Sequence, residues 1–428
     1  MHSVLLAAHV ADGHVAPMLG VAAHFVSAGH RVRFLTGDRF AGAVRGTGAE
    51  FIPWPEGAQI DHAAVIAAAR ASGDRRAGTK GMVRNIEQIF IAPARTQYRA
   101  LCAAIDAEPT DAVLTEFTVV GAAALAVSRD HRRPLVACGI LPLGLSSVDA
   151  APWGLGILPR DDAIGRLRNR FLNFMTKHVI LRTPQQQVEK FVKEATGSTL
   201  GVYFMDWAVR ADRYAQFTVA GFEYPRRDLP RSVQFVGPVA HLSRSDALPE
   251  WWPDLDGGRP VVHVSQGTIA NENSEELILP TVRALADRDV LAVVTTGGAP
   301  VASLGALPSN ARAAEFIGYD ALMPKVDVFI TNGGYGGLNF ALAHGVPIVV
   351  AGDTEDKAET TRRVQWSGVG VNLETARPDE AAIARAVDEV LAEPSYRERA
   401  RELAAEVAAA PGVAGLERIV DDLVAVRG

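Results

Sequence analysis

Three short stretches combine residue types that could do chemistry with a local sequence that would expose them to a ligand. The densest is Thr331–Gly337, where four of the five positions from 333 to 337 are glycine. Glycine lets a backbone turn sharply and approach a ligand, and a helix starting behind the turn offers unpaired N–H groups and a positive dipole end. These features suit a phosphate or diphosphate, although such a turn is as often a plain tight connection. The stretch matches neither the phosphate-binding lysine motif nor the spaced-glycine dinucleotide fingerprint.

A histidine and a glutamate in the first third of the chain form the second and third candidates. His14, in the predicted loop Ala11–His14, could act as a base near neutral pH, but most histidines are structural. His9 and His24 are competing candidates, and mid-helix spacing favours packing for His24. Glu116, just past a predicted strand, could orient an imidazole as in a catalytic triad, or it could simply be an acid at a helix N-terminus.

The elements that must position these residues alternate between strands and helices. Val4–Val10 predicts a buried strand, Met18–Ala28 a helix with Pro17 in its first turn and Gly29 at its end, and His30–Thr36 a second strand. Further strands are predicted at Asp111–Thr115, Pro134–Cys138, Pro260–Ser265, Val290–Thr295, Asp327–Thr331 and Pro347–Ala351. Short strand–helix–strand connections imply parallel sheets, in which ligands bind beyond the carboxyl ends of the strands.

Composition excludes several classes of protein. The chain has 428 residues, 48% of them hydrophobic, with 43 basic and 49 acidic residues and a formal net charge of −6. This balance argues against a constitutive binder of nucleic acid or of acidic membranes and leaves only a local basic patch open, and two cysteines, Cys102 and Cys138, are too few for a disulfide scaffold. No apolar run is long enough for a transmembrane segment and no export signal is visible, so we expect a cytoplasmic protein. Basic residues recur between 160 and 182, which we interpret as a solvated helical surface.

Four motifs together resemble a known family. The sequence from Phe329 to Gly337, followed by Ala343–Pro347 and Asp356-Lys357, resembles the nucleotide-sugar motif of the family 1 glycosyltransferases, which include bacterial antibiotic glycosyltransferases and UDP-glucuronosyl- and UDP-glucosyltransferases. Gly13–Met18 is similar to the family's catalytic loop, Ser265–Thr268 to its S-x-G-T turn and Val236–Pro238 to its interdomain V-G-P. The motifs occur in the family's order over most of the chain.

The resemblance implies the α/β GT-B fold, in which two Rossmann-like domains with parallel sheets face each other across a cleft. Residues 1–225 would be the N-terminal acceptor-binding domain, 226–240 the interdomain linker, and 241–410 the C-terminal nucleotide-sugar-binding domain. Residues 411–428 would form a C-terminal helix that can cross back to the N-terminal domain.

The family's activity implies a role for each matching residue. His14 would be the general base of an inverting sugar transfer and Glu116 its partner, with no cofactor and no metal. The remaining roles are binding the donor diphosphate (Asn332, Gly334, Gly336, Gly337, Leu338, Ser265, Gly267 and Thr268), the donor sugar (Asp356 and Lys357) and the nucleoside (Phe316, Ile317 and Tyr319).

Several positions depart from the family pattern. Asn332 stands where the family usually has histidine, Gly337 where it has serine or threonine, and Lys357 where it has glutamine. The glutamate that often binds the ribose hydroxyls falls at Phe340, which fits a 2′-deoxyribose donor such as a dTDP-sugar.

The expected partners are a UDP- or dTDP-sugar and a small, fairly apolar, hydroxylated acceptor. Residues 60–100 and 139–158 are expected to form the walls of the acceptor pocket. A homodimer and a helper protein are left open. A nucleotide-sugar epimerase or hydrolase of the same fold and a non-catalytic nucleotide-sugar-binding homologue remain as alternatives.

Overall fold

A computed structural model of the chain describes residues 1–60, 64–65, 78–239, 248–267, 273–353 and 356–426. Within these residues the chain forms two parallel β-sheets of seven and six strands, each covered by helices. The predicted fold class of two parallel α/β halves is therefore confirmed. None of the helices described is long and apolar enough to cross a membrane.

The first sheet has the strand order β3-β2-β1-β4-β5-β6-β7 and every neighbouring pair is parallel. Its central strands are continuous apolar runs, as expected for strands buried on both faces; Leu5, Leu114 and Val136 have no exposed surface. The strands are β1 Ser3–Ala7, β2 Arg31–Thr36, β3 Glu50–Pro53, β4 Ala112–Glu116, β5 Leu135–Gly139, β6 Arg213–Gln216 and β7 Val233–Phe235.

The helices of this half lie between and around these strands. They are α1 Asp12–Ser27, α2 Ala41–Gly46, α3 Gly78–Ile86, α4 Ala94–Ala107, α5 Gly121–Val127, α6 Ala163–Met175 and α7 Arg182–Thr196. One π-helical turn, Glu87–Ile91, lies between α3 and α4, and another, Thr176–Ile180, follows α6.

The second sheet has the order β10-β9-β8-β11-β12-β13 and is also parallel throughout. Its strands are β8 Val261–Ser265, β9 Leu291–Thr295, β10 Ala311–Ala314, β11 Val328–Thr331, β12 Ile348–Val350 and β13 Gly370–Asn372. The accompanying helices are α8 Ile278–Leu285, α9 Tyr319–Leu322, α10 Tyr335–Ala343, α11 Lys357–Ser367, α12 Glu380–Ala392, α13 Pro394–Ala409 and α14 Gly412–Ala425.

Several boundaries differ from the predictions. Helix α1 begins at Asp12, so His14 lies in its first turn rather than in a loop, and Pro17 lies inside the helix. Strand β7 pairs with β6, so part of the expected linker 226–240 belongs to the first sheet. Within the segment 60–100 that is expected to wall the acceptor, residues 61–63 and 66–77 lie outside the described residues.

The last helix lies against the first half of the chain. Leu416, Ile419 and Val420 of α14 are buried in the same hydrophobic core as the first sheet. The Glu417 carboxylate lies 2.7 Å from Nε2 of His24 and 2.9 Å from Nε2 of His30. Side-chain contacts thus join the C-terminal end of the chain to the first sheet and its helices.

A buried charge cluster joins the two halves. Arg363 on α11 donates to Glu223 at 2.8 Å and to Glu359 at 2.9 Å, and the side chains of Arg363 and Glu223 are each 1% exposed. Burial alone would lower the pKa of Arg363, but the two carboxylates outweigh it and raise that pKa above its usual range. Glu359 in turn accepts the backbone N–H groups of Gly154 and Gly156 at 2.9 and 3.0 Å. The cluster therefore ties α11 of the second half to the loop after β5 of the first.

Candidate active site

His14 and Glu116 lie together at the carboxyl edge of the first sheet. His14 is in the first turn of α1, which follows β1, and Glu116 is the last residue of the neighbouring strand β4. Nδ1 of His14 lies 3.2 Å from Oε1 of Glu116, with 12% of the His14 side chain exposed and none of Glu116. If Nδ1 carries the proton donated to the carboxylate, Nε2 becomes the basic nitrogen of the neutral ring.

Glu116 is held by a set of short hydrogen bonds. Oε1 accepts the His9 N–H at 3.0 Å, Oε2 accepts the Thr118 N–H at 2.8 Å, and the Thr118 hydroxyl donates to Oε1 at 2.7 Å. Burial raises the pKa of Glu116, but the adjacent His14 and these hydrogen bonds outweigh burial and keep the pKa below its usual value. Glu116 is therefore an ionised carboxylate at neutral pH, suited to stabilise a protonated imidazole.

His9, the competing candidate, lies beneath this pair. It is fully buried, and its Nδ1 accepts the Val10 N–H at 3.1 Å. Burial lowers the pKa of His9 to about 4. His9 is therefore neutral at physiological pH and packs behind His14.

The glycine-rich turn connects β11 to α10 at the carboxyl edge of the second sheet. Gly333 has φ +91°, and a Cβ there would lie 3.1 Å from Val350, so the turn needs glycine at this position. Gly334 precedes the helix, and nothing lies within 4 Å of its ideal Cβ position. Gly336 and Gly337 lie in the first turn of α10, where N–H groups have no acceptor within the helix. Leu338 is buried and its N–H donates to the Gly334 carbonyl at 3.1 Å, so this donor is already used.

Asn332 joins this turn to the one after β8. Its Nδ2 donates to the Gln266 carbonyl at 2.6 Å, and the Gly267 N–H donates to the Ser265 hydroxyl at 3.3 Å. The structure thus brings Ser265, Gly267 and Asn332 together, with the Asn332 amide serving as a strut between the turns. Thr268 lies outside the described residues.

Aromatic rings line the second sheet beside these turns. The Tyr319 ring lies 5.9 Å from Phe329 and 5.5 Å from Phe340, and burial raises the pKa of its hydroxyl. His263 stacks on Phe329 at 5.1 Å, and burial lowers its pKa to about 4. Tyr319 therefore points its hydroxyl into the protein and belongs to an aromatic floor that the sequence did not reveal.

The other two residues expected near a nucleoside follow β10. Ile317 is buried, and the Phe316 ring lies against Gly298, where a Cβ would be 2.9 Å from Phe316 Cζ. Phe316, Ile317 and Tyr319 thus lie together between β10 and α9.

Asp356 and Lys357 lie at the start of α11, next to the glycine-rich turn. Lys357 is 8% exposed, and a Cβ on Gly352 would lie 3.1 Å from the Lys357 stem and 2.3 Å from the Asn332 carbonyl. Asp356 immediately precedes the helix. The structure thus gathers this pair with the glycine-rich turn at one edge of the second sheet.

A direct contact shows that the carboxyl edges of the two sheets face each other. Gln216, the last residue of β6, donates through Nε2 to the hydroxyl of Tyr335, the first residue of α10, at 3.2 Å. Glu116 lies two strands from Gln216, a separation of about 10 Å at usual strand spacing. The imidazole–carboxylate pair and the glycine-rich turn therefore lie on facing edges of the two sheets.

Sequence reasoning missed two supports of this site. The Thr118 hydroxyl lies 3.1 Å from Nδ1 of His14 and also donates to the Glu116 carboxylate. The sequence signal for this support was the position of Thr118, two residues after Glu116. The buried Arg363 cluster gave no signal, because Glu223 and Arg363 are 140 residues apart.

The chain resembles known proteins over nearly its whole length. The model of the family described as Erythromycin biosynthesis protein CIII-like, C-terminal domain, matches residues 279–426. The chain is 42% identical to 4'-demethylrebeccamycin synthase of Lentzea aerocolonigenes, over 98% of this chain and 99% of that protein. It is 33% identical to UDP-glucosyltransferase 1 of Beauveria bassiana, over 94% of this chain and 91% of the relative.

Solved structures resemble the fold over nearly its full length. The glycotransferase of kitacinnamycin superimposes with a TM-score of 0.76 at 20% identity, covering 99% of both chains. The calicheamicin glycosyltransferase CalG4 gives 0.70 at 21% identity, covering 99% of this chain and 98% of that one. The glycosyltransferase VinC, solved in complex with dTDP, gives 0.68 at 20% identity, covering 100% of each. At these identities the likeness establishes the fold alone.

Proposed function

The chain belongs to the family 1 glycosyltransferases of the GT-B fold, and on that premise we propose that it performs an inverting transfer of a sugar to a hydroxyl of a small, apolar natural product. The proposed donor is a UDP- or dTDP-sugar. The observation that carries the proposal is the His14–Glu116 pair, 3.2 Å apart, at the sheet edge facing the glycine-rich turn. The names of the relatives, a rebeccamycin-type synthase and a UDP-glucosyltransferase, favour these substrate classes.

The proposed reaction is a single displacement. His14 takes the proton of the acceptor hydroxyl while the acceptor oxygen forms a bond to the anomeric carbon. On the opposite face the bond between the anomeric carbon and the diphosphate oxygen breaks, and its electron pair leaves with the nucleoside diphosphate. Attack opposite to departure inverts the anomeric centre. Ionised Glu116 stabilises the resulting imidazolium and keeps Nε2 directed at the acceptor.

The leaving diphosphate would bind at the start of α10. The N–H groups of Gly336 and Gly337 and the positive end of the helix dipole suit an anion there. Ser265, Gly267 and Asn332 would shape the other side of the pocket through the contacts between their turns. We leave Leu338 out of the donor contacts because its N–H is bonded to Gly334.

The donor sugar would meet Asp356 and Lys357. A carboxylate accepts hydrogen bonds from sugar hydroxyls, and a lysine ammonium donates them. Lys357 suits this role because its stem and the Asn332 carbonyl both lie beside Gly352.

The nucleoside would lie over the loop at 316–319. Phe316 would stack on the base and Ile317 would offer backbone contacts, whereas Tyr319, packed against Phe329, would support the site from below. Phe340, in edge contact with Tyr319 at 5.5 Å, presents hydrocarbon where a ribose-binding carboxylate would stand. A 2′-deoxyribose, and hence a dTDP-sugar, fits this environment best.

The acceptor would bind against the loop after β5. Leu143 and Leu145 are buried there, while the backbone at Gly154 and Gly156 is anchored to Glu359 of α11. Since Lys357 is the first residue of α11 and Asp356 immediately precedes it, one helix would support both the acceptor loop and the donor-sugar contacts.

A donor panel followed by an acceptor screen tests this proposal. The protein is incubated with UDP- and dTDP-sugars, and thermal shift and chromatography identify bound donors and any donor consumed. Apolar hydroxylated acceptors are then added, and NMR determines the anomeric configuration of the product. We expect donor binding first, turnover only with acceptor, and inverted product. Donor epimerised or hydrolysed without acceptor would instead establish an epimerase or hydrolase, and binding without any turnover would favour a non-catalytic homologue.

The variant His14→Ala tests the proposed base. Loss of a general base costs about 10²- to 10⁴-fold in kcat, while donor affinity should stay within about twofold. His131→Ala is a matched control, because His131 pairs with Asp106 on the surface of the same half. Full activity of His14→Ala toward the same acceptor would contradict the assignment.

A further inference from the structure

Helix α6 leaves a row of large apolar side chains in solvent. Ile164 and Leu167 are each 68% exposed, Phe171 61% and Phe174 58%. Spacings of three and four residues place these side chains, the α6 stripe, on one face of the helix. Of the eleven large hydrophobic residues exposed in the described parts of the chain, six lie between 155 and 179. Scattered exposed hydrophobics are ordinary, but a contiguous row marks an interaction surface.

The opposite face of α6 is already committed to the protein. Asn169 donates to the Val148 carbonyl at 3.1 Å, and Asn173 donates to the Ser147 carbonyl at 3.2 Å. A Cβ at Gly165 would lie 2.5 Å from the Cβ of Arg160, so the helix sits close against its neighbours. These contacts fix the rotation of α6 about its axis, and the stripe faces outward as a result.

The charge around the stripe is positive. Residues 163–188 contain five cationic side chains and no aspartate or glutamate, in a chain of net charge −6. Helical spacing sets Arg166 and Arg170 along one side of the stripe and Arg168 along the other. Lys177 already pairs with Asp206 at 3.2 Å, which leaves the arginines to set the character of the surface.

This combination selects one class of partner. A two-fold contact with a second copy through the stripe would bring the same cations face to face, which is unfavourable. An apolar row flanked by cations matches a lipid surface with anionic headgroups, where rings enter the acyl boundary and arginines meet phosphates. We infer that the α6 stripe docks the protein peripherally onto an anionic lipid membrane.

Cosedimentation with vesicles tests this inference on the full-length protein. Vesicles of phosphatidylcholine alone are compared with vesicles containing phosphatidylglycerol, at low and high salt. The wild type should partition about 25-fold or more in favour of the anionic vesicles, and high salt should weaken this binding. Arg166→Gln with Arg170→Gln should reduce partitioning about 25-fold, at about fivefold for each cation removed.

Two further pairs of variants separate the apolar and general contributions. Phe171→Ser with Phe174→Ser should lower partitioning by about tenfold or more, with an unchanged melting temperature because both rings are exposed. Leu391→Ser and Arg385→Gln, at exposed positions on α12 in the other half, should bind as the wild type does.

Three results would overturn the inference. The first is failure of the wild type to bind anionic vesicles, and the second is equal binding to both lipid compositions. The third is a dimer, seen in analytical ultracentrifugation, that the double variant Phe171→Ser with Phe174→Ser dissociates, in a protein that does not bind vesicles. The last result would identify a second copy of the chain as the occupant. Because vesicle binding needs no sugar donor, its outcome is independent of the reaction proposed above.

Discussion

Replacing Glu116 with glutamine separates the charge of this residue from its shape. The carboxylate is fully buried, with Oε1 accepting the His9 N–H at 3.0 Å and Oε2 accepting the Thr118 N–H at 2.8 Å. Glutamine keeps only one acceptor oxygen. Whichever way its amide is turned, an NH₂ group faces one of the two backbone N–H donors.

Two free energies follow from this geometry. A buried donor left without an acceptor costs about 1–3 kcal/mol, so the free energy of unfolding should fall by about 2 kcal/mol. The imidazolium formed during transfer also loses a charge-assisted hydrogen bond worth about 2–3 kcal/mol, which corresponds to about 30- to 150-fold in kcat. The KM for the donor should change little, because the proposed donor contacts lie on the second sheet.

The stability effect depends on pH with a defined sign. Glu116 has a pKa below the ordinary glutamate value of about 4.3, so its ionised form stabilises the fold above that value. That stabilisation is lost as the pH falls through the lowered pKa. The difference in free energy of unfolding between wild type and Glu116→Gln should therefore be largest near neutral pH and shrink below about pH 4.

Urea unfolding across this pH range and steady-state kinetics measure both effects. Glu194→Gln, on the surface and paired with Arg95, is the matched control and should change neither stability nor rate. A folded Glu116→Gln protein with kcat within about twofold of wild type would refute the proposed support of the imidazolium. A stability difference that grows toward acid pH would refute the charge assignment.

Two other substitutions test the buried charges. Arg363→Met removes the cation that pairs with two buried carboxylates and should lower the free energy of unfolding by about 3–5 kcal/mol. Urea unfolding measures this effect against the exposed control Arg385→Met, and equal urea midpoints for the two variants would contradict it. Lys357→Met removes a charged hydrogen-bond donor and should weaken binding of the nucleotide sugar about tenfold, measured by calorimetry. The exposed Lys190→Met is the control, and an unchanged affinity of Lys357→Met would exclude Lys357 from the donor site.

Much of the architecture was determined by local sequence pattern. Apolar runs such as Leu5-Leu6 and Val113-Leu114 can be satisfied only in strands buried on both faces, and the intervening helical spacings imply parallel crossovers. The glycine-rich turn was also visible locally, because four glycines in five positions have few other uses after a strand. The two-sheet fold and the placement of His14 and Glu116 at strand ends could therefore be predicted.

Element boundaries were predicted less well, for a physical reason. Helix α10 begins at Tyr335, inside the glycine-rich turn and not behind it as predicted, because glycine leaves no hydrophobic signal of its helical state. Likewise, β7 is only three residues long and sits among prolines and charges, so its pairing with β6 rather than its composition makes it a strand. Local propensity does not predict a strand that is stabilised mainly by pairing with a neighbouring strand.

Only the tertiary structure decided how distant residues share the site. Glu116 and His14 are 102 residues apart, and their 3.2 Å contact exists because β1 and β4 are neighbours in the sheet. The buried arginine at 363 and the outward face of α6 depend equally on packing, since a charged or apolar side chain has no fixed environment until its neighbours are in place. Sequence thus determined which chemical groups the protein carries, whereas folding determined which of them meet, because contact depends on the order of strands and not on separation along the chain.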